Sequence, residues 1–143
     1  MALRFRLARV LNLRTRLREQ AQDEVARVAG ELARLRDRIV AGRRRQDSAR
    51  RTEEAAMQAG TTGAALGTFR AFEAAEAAQV AALVADEARA AEELVERREE
   101  LLARRREERQ LERLRERALE QHEAAEQRTA VALLDDLAQR KRR

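Results

Sequence analysis

The chain has 143 residues, 40% of them charged and only 2% aromatic, with no proline, no cysteine and a formal net charge of +5. Large apolar side chains are too few for a thick globular core, and the Ala-, Glu-, Leu- and Arg-rich composition fits long helices or a coiled coil. Disulfides and thiolate metal sites are excluded, and no apolar run approaches the roughly 20 residues that span a bilayer.

The N-terminal stretch "MALRFRLARVLNLRTRLRE" interleaves arginine with apolar residues, so it lacks the core of a signal peptide. Residues 1–18 carry Arg4, Arg6, Arg9, Arg14, Arg16 and Arg18 and no acid, and the chain closes on Arg140-Lys141-Arg142-Arg143. Further on, Ala21, Val25, Val28, Leu32, Leu35, Ile39 and Gly42 are spaced by fours and threes. That spacing makes a heptad seam, a narrow stripe for one neighbouring helix. A disordered tail would have no use for it. The periodicity predicts a first helix over about 3–57.

"GTTGAALG" then predicts a turn over about 58–68, with Gly60, Gly63 and Gly67 supplying backbone freedom. Phe69, Phe72, Val80, Leu83, Ala90, Leu94 and Leu101 make the stripe of a second helix over about 69–139, which continues at Leu111, Leu114, Ala118, Ala125 and Ala132. A short connection favours antiparallel neighbours. With the turn centred near Ala64, residue i faces roughly residue 128 − i, and the acid-rich arm 71–96 lies against the arginine-rich arm 32–57. The expected fold is all-α: one domain over 1–143, a long antiparallel two-helix coiled-coil hairpin. The second helix outruns the first, leaving an overhang of roughly "EQRTAVALLDDLAQRKRR" whose Val131, Leu133, Leu134 and Leu137 have no facing helix.

Catalytic chemistry finds no foothold in this pattern. His122 stands between Gln121 and Glu123 with no nucleophile beside it, so a solvated histidine is expected. Adjacent Asp135 and Asp136 point about 100° apart on a helix and read as solvated charge. The turn lacks the Lys-Ser/Thr of a phosphate-binding loop. No enzyme activity, cofactor, metal or small-molecule substrate is expected. Nucleic acid is a minor alternative: the arginines of "ERREELLARRREERQLERLRER" alternate with glutamates, and stacking aromatics are missing.

The opening "FRLARVLNLRTRLREQAQDEVARVAGELARL" and the closing "RRREERQLERLRERALEQHEAAEQRTAVALLDDLAQRKR" resemble FliJ, the small coiled-coil family of the bacterial flagellar type III export apparatus. The resemblance implies a stalk similar to the coiled coil of a rotary-ATPase gamma subunit. Such a stalk stands in the hexameric export ATPase (FliI-like), couples it to the export gate (FlhA-like) and works with export chaperones. It implies a cytoplasmic protein, peripheral to the inner membrane at the flagellar base. Carried over by position, Arg4, Phe5, Arg9 and Arg14, with Leu134, Asp135, Asp136 and Leu137, would contact the ATPase, and Phe72, with Phe69, the gate. Where the family places larger apolar residues one turn beyond that aromatic, this chain has Ala75, Glu76 and Gln79. Packing across the hairpin tip is the other role open to Phe72. The alternatives are the equivalent stalk of a virulence secretion system, and a basic coiled coil on nucleic acid or anionic membrane.

Overall fold

The computed structural model describes residues 4–142. Two helices account for nearly all of them: α1, Ala8–Gln58, and α2, Gly63–Lys141. The predicted start at Leu3 lies outside the described residues, and residues 4–7 are not helical. The first turn of α1 contains no acid, and Arg4, Arg6 and Arg9 crowd the positive end of the helix dipole, which disfavours further winding.

The connection is shorter than predicted: Ala59, Gly60, Thr61 and Thr62 alone join the helices. Gly60, at φ 82°, is the one described residue with positive φ, and its N–H closes on the Met57 carbonyl at 3.2 Å. Glycine at this C-terminal position lets the chain leave the helix left-handed without a Cβ clash. The Thr62 hydroxyl then accepts from the Ala65 N–H at 3.2 Å, capping α2. Gly63 and Gly67 therefore lie in α2, because the cap and the helix formers Ala64, Ala65 and Leu66 outweigh two weak positions.

The chain divides into two compact units. One comprises Met1–Gln22 with Glu100–Arg143, the other Asp23–Glu99. In the second unit, α1 and α2 pack antiparallel around two apolar clusters. Val28, Leu32, Ala90 and Leu94 form one, with Val25, Ala29, Leu35 and Ala91 against it. Ile39, Val80 and Leu83 form the other. Beside the second cluster, on the side of the reversal, Gly42 is buried, and a Cβ there would stand 2.7 Å from Val80 Cγ2. Small residues let helix axes approach in this way.

The register differs from the predicted one. Arg36 Nε donates to Glu87 at 2.9 Å, Arg45 Nε donates to Glu76 at 3.2 Å, and Gly42 meets Val80. Residue i thus faces roughly residue 122 − i, because α2 starts earlier than predicted and the reversal is centred nearer Thr61. The charge pairing that motivated the antiparallel reading survives the shift. Arg50 and Glu73 lie 3.6 Å apart, Arg70 and Glu53 3.7 Å, and Arg27 and Glu93 3.4 Å.

In the first unit the buried apolar residues are Leu11, Ala21 and Leu101. Leu111 and Ala118 are half-buried, and every described residue from Ala125 onward is exposed. The predicted stripe positions Ala125 and Ala132 therefore face no helix.

Candidate functional site

The first unit contains a buried ionic cluster. Glu108 is the one buried charged residue among the described residues. Its carboxylate accepts from Arg18 Nε at 2.9 Å and from the Thr15 hydroxyl at 3.0 Å. The Arg18 guanidinium, helped by the Thr15 hydroxyl, holds the Glu108 carboxyl below its ordinary range against the opposing effect of burial. Arg18 is raised in turn, chiefly by its hydrogen bond to Glu108. One helical position away, Arg14 Nη1 donates to Glu107 at 2.7 Å. Sequence reasoning passed over this cluster, although Glu108 falls one heptad after Leu101 and two after Leu94, where an apolar residue was due.

The expected ATPase-contact residues separate into three environments. Arg4 and Phe5 line an open cavity of about 500 Å³ with Ala8, Leu11, Asn12, Arg115 and Leu119. Arg14 is turned toward Glu107, whereas Arg9 is exposed. Leu134, Asp135, Asp136 and Leu137 stand on α2 with no segment of α1 beside them, Leu134 at 65% exposure and Leu137 at 53%. Asp136 pairs with Arg140 one turn on, at 3.3 Å. Leu119, where the N-terminal segment meets α2, precedes Leu134 by about 20 Å of helix. The two sets of residues thus lie in succession along α2.

Near the reversal, Phe69 and Phe72 line a groove of about 440 Å³ with Arg45, Ser48, Ala49, Thr52 and Thr68. Phe69 is half-buried, while Phe72 is 49% exposed. Packing across the tip therefore uses only part of the Phe72 ring.

Among the described residues no group of three or more His, Cys, Asp or Glu could hold a metal ion. No helix there is long and apolar enough to cross a membrane. His122 lies 3.7 Å from Glu126 on the same helix face.

Two antiparallel helices sharing a heptad seam flanked by ion pairs define a helical-hairpin coiled coil. The flagellar FliJ protein family matches residues 3–143, and the chain belongs to that family. It is therefore a stalk-type component of type III protein export. Among solved structures, a YscO homologue from Chlamydia trachomatis has the same fold, with a TM-score of 0.68 and 19% identity over 96% of this chain and 94% of that one. No curated protein sequence matches the chain significantly.

Proposed function

We propose that the protein is the non-enzymatic stalk and escort of a flagellar type III export apparatus. The C-terminal overhang of α2 and the N-terminal segment engage a hexameric, FliI-like export ATPase, promoting its assembly and turnover. The groove at Phe69 and Phe72 docks on an FlhA-like gate, and export chaperones are further partners. The protein works in the cytoplasm, peripheral to the inner membrane at the flagellar base.

The observation that carries this reading is the overhang. Val131, Leu133, Leu134 and Leu137 are each more than half exposed on a helix that α1 no longer covers. Apolar side chains on an uncovered helix face call for another protein surface. The nucleic-acid alternative is weakened by Arg14, Arg18, Arg27, Arg36 and Arg45, all of which pair with carboxylates of the same chain.

Mixing the protein with its cognate export ATPase and following ring assembly and hydrolysis tests the proposal. The full chain should stimulate both, and removal of residues 126–143 should abolish the effect. No stimulation by the full chain would reject the stalk. For the gate contact, Phe72→Ala should lower gate affinity with helicity and thermal stability intact, whereas a less stable hairpin would assign Phe72 to packing.

A further inference from the structure

Heptad seams repeat, so sliding one helix by seven residues past its neighbour brings apolar positions back into opposition. In this chain the displaced register, in which residue i faces roughly 129 − i, places Leu35 against Leu94 and Ile39 against Ala90. Val80 would pass from Gly42 to Ala49, both small enough to receive it. The same slip sets Leu83 against Gln46 and Leu32 against Arg97, so the apolar residues favour the observed alignment without by themselves forbidding the other.

The polar residues discriminate strongly. In the observed register the Glu108 carboxylate is satisfied by Thr15 and Arg18. One heptad away, Glu108 would face Ala21, and Arg18 would face Leu111. A buried carboxylate stripped of its partners is far more costly than the loss of an exposed ion pair. A single buried polar group that selects among coiled-coil alignments is an established use of such residues.

The reversal supplies the necessary slack. With α1 still ending at Gln58, the displaced register would release about seven residues from the start of α2. That segment is "GAALGTF", where Gly63 and Gly67 weaken the helix and have no heavy atom within 4 Å of a would-be Cβ. Its unwinding leaves both buried clusters intact and lifts only half-buried side chains such as Phe69 from the groove.

We propose that the two helices have a second register displaced by one heptad, that Glu108 holds the chain in the first, and that residues 63–69 are the segment that unwinds to reach the second. The slip shortens the uncovered end of α2 by about 10 Å while it rebuilds the groove at Phe69 and Phe72. On the function proposed above, in which those two places dock ATPase and gate, the register links the state of one contact to the reach of the other.

The absence of cysteine from the chain allows a direct test by oxidative cross-linking. Gln46 and Ala77 line one groove in the observed register, and Val84 replaces Ala77 opposite Gln46 after the slip. The pair Q46C/A77C should cross-link at least tenfold more than Q46C/V84C in the otherwise unaltered chain. Glu108→Leu, which prefers Ala21 to Arg18, should reverse that ratio, and Glu108→Gln should keep it. A helical Glu108→Leu chain with the original ratio would overturn the proposal. In the triple variant T15V/R18M/E108L the cluster is apolar throughout, so folding is protected and both pairs should cross-link comparably. Cross-linking of Q46C/A77C alone in that variant would overturn the proposal even if Glu108→Leu failed to fold.

Discussion

The two compact units draw on the same pair of helices but are held by different chemistry. In the second, Val28, Leu32, Ile39, Val80, Leu83, Ala90 and Leu94 are all buried, and ion pairs stand only at the flanks. In the first, the apolar seam narrows to Leu11, Ala21 and Leu101, and a carboxylate with two donors takes the next core position. Burial of apolar area stabilises without direction, whereas a desolvated ion pair adds little net stability but tolerates few alternatives. Most of the hairpin's stability is thus expected from the second unit, and most of its specificity of alignment from the first.

The sharpest way to break this contrast is Val28→Asp. Val28 has no exposed surface, and a polar group placed there without partners should cost about 3 kcal/mol or more, read by urea unfolding. A loss below about 1 kcal/mol would mean that the second unit does not depend on its seam. Gly42→Leu should follow, at about 1–3 kcal/mol, because even a Cβ would press on the stiff Val80 side chain. Glu108→Gln tests the first unit through pH. The folded Glu108 carboxyl titrates below its ordinary value of 4.5. Its charge therefore stabilises fully above that ordinary value and ceases to do so as pH falls through the lowered one. The difference in Tm between the original chain and Glu108→Gln should accordingly be widest near neutrality and close in acid. A gap independent of pH would remove the ionic account of the cluster. The smallest effect is expected of V131A/L134A/L137A, within about 0.5 kcal/mol for the isolated chain, since these side chains contact no other helix. Its effect should appear instead as lost stimulation of the ATPase.

The exposed apolar end of α2 is legible in the sequence because it depends on helical phase and segment length alone. Val131, Leu134 and Leu137 can be placed on an uncovered helix from the lengths of two segments, and the structure leaves them exposed. Arg14 shows where that reasoning stops. It belonged to the same basic run as Arg9, but one faces Glu107 and the other solvent. Their distinction depends on which part of α2 lies opposite. Glu108 was hidden for the same reason, since a glutamate in the run "RREERQ" looks like any other until Thr15 and Arg18 are known to face it.

The sequence by itself determined two long helices, an antiparallel seam, a reversal at the glycine-bearing segment and an apolar C-terminal end. All of these follow from local propensity, from periodicity and from the distribution of charge along the chain. Only the tertiary structure decided the register, the four residues that make the turn and the partners of Glu108. A heptad pattern is periodic and matches itself again every seven residues, so its phase along the partner helix is fixed by the turn and by buried polar contacts rather than by the pattern.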